Sequence, residues 1–74
     1  MGTIPVLTSG AVITILRELG FEEARHKGSH KQFRYLDGRN TTVPVHKGRD
    51  ISTIFLRKIA TDIKIPFDEF LSHR

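Results

Sequence analysis

The sequence predicts an α+β domain: a helix, three antiparallel strands, a second helix and a short C-terminal helix, with both main helices on one face of the sheet. Three observations predict it. Apolar residues recur at helical spacing near each end of the chain, as Val12, Ile15, Leu16 and Leu19, and again as Phe55, Leu56, Ile59 and Ile63. Between them, residues 21–45 alternate in character and are interrupted by turn residues at Gly28-Ser29 and Asp37-Gly38. The alternation gathers apolar side chains on one face and basic ones on the other, as expected where helices cover one side of a sheet and leave the other open.

Taken in order, Met1 to Leu7 reads as an extended lead-in whose apolar side chains cover the core edge. Thr8 and Ser9 offer a cap for the first helix, since a side-chain oxygen there accepts from free N–H groups. That helix runs to about Leu19, and Gly20 is its left-handed stop. Ile13 and Ile15 are β-branched, so periodicity rather than propensity decides this assignment. Phe21 to Lys27 forms the first strand; its charges suit a sheet edge. Strands follow at about His30–Tyr35 and Asn40–Val45. His46-Lys47-Gly48-Arg49-Asp50 reads as a polar, basic loop. Ser52 caps a helix over Thr53–Ile63, and Pro66 sits in the first turn of a terminal helix that returns Phe67, Phe70 and Leu71 to the core.

Register follows from parity. Phe33 and Val43 must both point into a core, yet a two-residue Asp-Gly turn would set them on opposite faces. A three-residue loop, Leu36-Asp37-Gly38 with Gly38 left-handed, instead sets Tyr35 opposite Arg39 and Lys31 opposite Val43. A two-residue turn at Gly28-Ser29 pairs Lys27 with His30 and Ala24 with Phe33. Ala24, Phe33 and Val43 then make the apolar face. Arg25, Lys27, His30, Gln32, Arg34 and Thr42 make the other.

Seventy-four residues predict one domain with a modest core, because so small a chain buries only about 60% of its unfolded surface. There is no cysteine, so neither a disulfide nor a thiolate metal site can staple it. Twelve Lys and Arg against eight Asp and Glu give a net charge of +4, which favours an anionic partner. No long basic amphipathic helix points to a membrane surface, so nucleic acid is the favoured partner. No signal peptide or membrane-spanning run is read, and a cytoplasmic location is expected.

The residues also carry a resemblance. Gly28-Ser29-His30, Asp37-Gly38-Arg39, Thr42-Val43-Pro44, His46, Gly48 and Leu56-Arg57-Lys58-Ile59 resemble the HicA (YcfA-like) toxins of bacterial and archaeal toxin–antitoxin modules. Leu7-Thr8-Ser9-Gly10, Leu19-Gly20-Phe21 and Asp68-Glu69-Phe70-Leu71 match in the same order, so the likeness covers nearly the whole chain, residues 1–74 forming a single HicA-like toxin domain. The resemblance implies a double-stranded-RNA-binding-domain-like fold, mRNA cleavage that inhibits translation, and neutralisation by a HicB-type antitoxin protein. It implies that the histidine of Gly-Ser-His, here His30, is essential. Two departures stand out. Relatives often carry Gly-Thr-Leu where this chain has Thr53-Ile54-Phe55-Leu56, and Gly where it has Lys64, a residue that costs about 1 kcal/mol or more in a left-handed cap.

The chemistry expected of His30 is general acid or base catalysis on RNA, whose own 2′-hydroxyl is the nucleophile. An imidazole can remove that proton or protonate the leaving 5′-oxygen, and neighbouring cations can stabilise the phosphorane. No cofactor is called for. His46 is the second candidate, a diagonal neighbour of His30 if Pro44 faces His30; the plain alternative is a loop histidine bonded to backbone. Arg25, Lys27, Ser29, Lys31, Arg34, Lys47, Arg49, Arg57 and Lys58 are the expected RNA contacts, against an ordinary solvated surface. Tyr35 and Phe33 are candidate stacking residues, although Phe33 also fits the core. No metal site is expected: alternation separates His26 from His30, and no paired-His spacing supports a zinc set with His46. His73 is terminal. The expected protein is a metal-independent endoribonuclease toxin, monomeric when free. A non-catalytic RNA-binding module and a protein-interaction domain on the same fold remain the alternatives.

Overall fold

The computed structural model describes residues 6–45 and 50–74. Its elements are β1 (Leu7–Thr8), α1 (Ser9–Glu18), β2 (Glu22–Lys27), β3 (His30–Arg34), β4 (Asn40–Pro44), β5 (Asp50–Ile51), α2 (Thr53–Asp62) and α3 (Phe67–Ser72). β2, β3 and β4 form an antiparallel sheet in that order, so the charged β2 is an edge strand. Val12, Ile15 and Leu16 of α1, Phe33 and Val43 of the sheet, Leu56, Ile59 and Ala60 of α2, and Phe70 of α3 share one buried core. Both main helices therefore lie on the same side of the sheet. No helix among the described residues is long and apolar enough to cross a membrane.

The helices end where capping chemistry ends them. The Thr8 hydroxyl accepts from the Ala11 N–H at 3.1 Å, and Ser52 Oγ from the Phe55 N–H at 3.3 Å. Burying Ile15 is worth ~1.5–3 kcal/mol, which outweighs the few tenths that a β-branched residue costs in a helix. α1 closes with Phe21 N–H donating to the Leu16 carbonyl and Gly20 N–H to Arg17, with Gly20 at φ +95°. A Cβ on Gly20 would stand 2.7 Å from Tyr35 Cε1, so this position excludes a side chain twice over. α2 ends by the same motif: Ile65 N–H donates to Ala60 and Lys64 N–H to Thr61. Lys64 takes φ +59°. The departure to lysine does not move the helix end; the chain accepts the strain there instead.

The hairpin has the expected parity. Lys31 pairs with Val43 and His30 with Pro44. The Tyr35 N–H donates to the Arg39 carbonyl and Gly38 N–H to the Tyr35 carbonyl, with Gly38 at φ +98°, closing the three-residue loop. At the other turn Gly28 has φ +59° while Ser29 does not have positive φ, which identifies type II′.

Five expectations need correction. Ala24 does not pair with Phe33 and is exposed; Glu23 pairs with Phe33, because a β-bulge interrupts the register between Glu23 and Arg25. Phe21 precedes β2 rather than opening it, since its N–H is taken by the helix cap and its side chain is buried. Asp50 is not loop: Asp50–Ile51 pairs antiparallel with Leu7–Thr8, an extra two-stranded sheet that brings Leu7 and Ile51 onto the core. Of the lead-in, Val6 is exposed rather than covering the core, and residues 1–5 lie outside the described residues. Pro66 is the cap residue of α3 rather than a member of its first turn.

Candidate functional site

One face of the sheet is consumed by the core, so the other is the surface left for a partner. It is assembled by alternation alone. In β3, His30, Gln32 and Arg34 point away from Phe33; across the ladder Lys27 lies opposite His30, Arg25 opposite Gln32, and Glu22 opposite Arg34. From β4, Pro44, Thr42 and Asn40 complete the face. The bulge adds one unpaired residue, Ala24, to β2, and because it lies beyond Arg25 as counted from the turn, Arg25 and Lys27 keep the same side as His30.

His30 is exposed at the start of β3, held between Lys27 and the Pro44 position. Ser29, half-buried in the preceding turn, has its carbonyl bonded by the Val45 N–H at 2.6 Å. That bond ties the turn to β4 and fixes the backbone from which His30 projects. Arg25, Lys27 and Arg34 form no ion pair with another described residue. Their charge is therefore available to an anion on the same face as the imidazole.

The other expected RNA contacts separate from this group. Lys31 points to the core side of the sheet, its ammonium 3.8 Å from Glu23, which also lies 3.9 Å from Arg17. Arg57 stacks its guanidinium 4.4 Å from the Phe67 ring centre, and Lys58 donates to Asp62 Oδ2 at 3.1 Å. Both belong to α2, in the layer behind the sheet. Phe33 is fully buried, and Tyr35 packs on Phe21 with ring centres 5.2 Å apart, so neither presents a stacking surface beside His30. His26 pairs with Lys31 on the opposite face, its Nε2 3.0 Å from the Gly28 carbonyl oxygen. His46, Lys47 and Arg49 lie outside the described residues.

Sequence reasoning missed Arg39. It is the most heavily used cation among the described residues: Nη1 donates to the Ile63 carbonyl at 2.6 Å, Nε to Asp37 Oδ2 at 2.8 Å, and the guanidinium lies 4.9 Å and 5.3 Å from the Tyr35 and Phe21 ring centres. The Arg39 backbone N–H also donates to Asp37 Oδ1 at 3.0 Å. That N–H first, and the guanidinium after it, hold the Asp37 carboxyl below its ordinary value. The signal was the Asp37-Gly38-Arg39 spacing, which the left-handed glycine folds back on itself. An open cleft of about 620 Å³ was also unforeseen; Glu22, Ala24, Arg34, Leu36 and Asn40 line it at the end of the sheet far from His30. Leu36 stands 98% exposed on its rim.

A family model described as the HicA toxin of bacterial toxin–antitoxin systems matches residues 11–65 of the chain. That span runs from the first turn of α1 to the Schellman motif closing α2, and contains the whole sheet. No curated protein matches the chain.

Proposed function

Because the chain belongs to the HicA toxin family of bacterial toxin–antitoxin systems, we propose that it binds mRNA on the open sheet face and cleaves it there, as a metal-independent endoribonuclease neutralised by a HicB-type antitoxin. The observation that carries this reading is the placement of His30 with Arg25, Lys27 and Arg34 on the face that the core leaves free.

In the proposed reaction the 2′-hydroxyl of the RNA attacks the adjacent phosphorus, and the bond from phosphorus to the 5′-oxygen breaks. The products are a 2′,3′-cyclic phosphate and a 5′-hydroxyl, with the proton of the 2′-hydroxyl balanced by the one that the 5′-oxygen gains. His30 removes the first or supplies the second. The cations of the face hold the phosphate and stabilise the extra negative charge of the phosphorane. Most of the affinity for RNA comes from these cations rather than from the imidazole.

The test is to compare the purified wild-type protein with His30→Ala on RNA, with and without EDTA. Cleavage should fall about 10²–10⁴-fold, RNA should still be retained in a gel shift, and EDTA should not matter. An exposed strand residue outside core and caps should change stability by no more than about 0.5 kcal/mol. A folded His30→Ala protein that cuts at the wild-type rate refutes the assignment and makes His46 the next residue to replace. A wild-type protein that retains RNA without cutting it would be a binding module. One that does neither would point to a protein-docking face.

A further inference from the structure

Gln32 occupies the centre of the open face. His30 and Arg34 flank it along β3, and Arg25 and Thr42 flank it across the ladder. Its amide is oriented by its neighbour. Asn40 Nδ2 donates to the Gly38 carbonyl at 3.2 Å, which turns Asn40 Oδ1 toward β3, and Gln32 Nε2 reaches that oxygen in a long contact of 3.5 Å. A glutamine amide carries two N–H donors and one carbonyl. One N–H is directed at Asn40, and the other N–H and Oε1, a donor and an acceptor in one plane, have no partner among the described residues.

We propose that Gln32 is the residue of this face that reads sequence, and that it takes the N6 amino group and N7 of an adenine next to the phosphate held at His30. The inference rests on the reading that this face receives RNA. Adenine presents a donor at N6 beside an acceptor at N7, the complement of an amide edge, whereas guanine presents acceptors at both O6 and N7. Unpaired bases in RNA expose these edges. His30 and Gln32 lie two residues apart on one strand, ~7 Å, so the base read belongs to a nucleotide adjoining the scissile phosphate. Arg25 and Arg34 offer guanidinium planes on which that base can lie, a role closed to Phe33 and Tyr35, which are engaged on the other face.

Sequencing the cut ends of a random RNA pool tests this, together with the binding of uridine-rich oligonucleotides carrying one adenine or one guanine to the His30→Ala protein. Adenine should be enriched at one position flanking the cut by roughly ten-fold or more over guanine. In Gln32→Ala that ratio should fall toward one. In Gln32→Glu the adenine preference should likewise be lost, because a carboxylate carries no donor for N7. The adenine oligonucleotide should bind the His30→Ala protein more tightly, and adding Gln32→Ala should remove the difference. Cut ends without adenine enrichment, or an enrichment that survives both Gln32 substitutions, overturn the inference. If the wild-type protein cuts nothing, the endoribonuclease reading fails, and the binding comparison decides Gln32 by itself: equal affinity for the two oligonucleotides overturns it.

Discussion

Replacing Arg39 with alanine should destabilise the protein by about 2–3 kcal/mol. The side chain is only 23% exposed, and three kinds of contact are lost together. The bond to the Ile63 carbonyl caps the end of α2 with a charged donor, an interaction worth about 1.5–3 kcal/mol. The contacts over Phe21 and Tyr35 add about 0.5–1 kcal/mol each, and the solvent-screened ion pair with Asp37 adds little. These terms share one side chain and do not add in full, which sets the total near the value given. In a domain of this size each kcal/mol moves the melting temperature by about 4–8 °C, so the shift should be roughly 10–20 °C downward. Thermal and urea melts followed by circular dichroism measure it. Arg39→Lys should recover less than half of the loss, since an ammonium cannot both stack and fork. Arg17→Ala is the control: its nearest carboxylate oxygen is 3.9 Å away and it is 60% exposed, so it should cost less than about 0.5 kcal/mol. An Arg39→Ala protein that melts with Arg17→Ala refutes the reasoning.

Two further outcomes follow from the hairpin loop and from the end of α2. Asp37 has a lowered pKa in the folded protein, so its contribution to stability is complete above its ordinary value of 3.8 and is lost as pH falls through the lower folded value. Acid titration of stability should show that loss in the wild type and not in Asp37→Asn. Lys64→Gly should raise stability by up to about 1 kcal/mol in urea melts, because it relieves a left-handed lysine, with part of the gain offset by the freer unfolded chain.

The hairpin was legible because parity leaves little choice. Once Phe33 and Val43 are both required inside, the loop must be odd, and the faces of His30, Gln32 and Arg34 follow. Ala24 was misread for the same reason: parity propagates perfectly only through a regular ladder, and a β-bulge carries no clear signature in Phe21-Glu22-Glu23-Ala24. The β1–β5 pairing was hidden because two-residue strands are too short to show alternation. Among the cations, charge alone said that they sit at the surface but not on which layer. Arg57 lies over Phe67 and Lys58 beside Asp62, contacts set by how α2 and α3 meet. Arg39 escaped notice because an arginine in a turn reads as solvated until the fold brings Ile63 beside it.

The hairpin also limits how such a gene can vary. A residue inserted between Tyr35 and Arg39 is taken up as a four-residue loop with Tyr35 still opposite Arg39, so both sides of β3 are kept. A residue inserted or deleted inside β3 is different, because it sets the residues before and after it out of phase, and Phe33 and Tyr35 can then no longer both face the core without a new bulge. The hairpin tip, with Leu36 almost wholly in solvent, is free in composition and in length, whereas the strand beside it is fixed in count. Surviving length variants should therefore fall between Tyr35 and Arg39 rather than within β3.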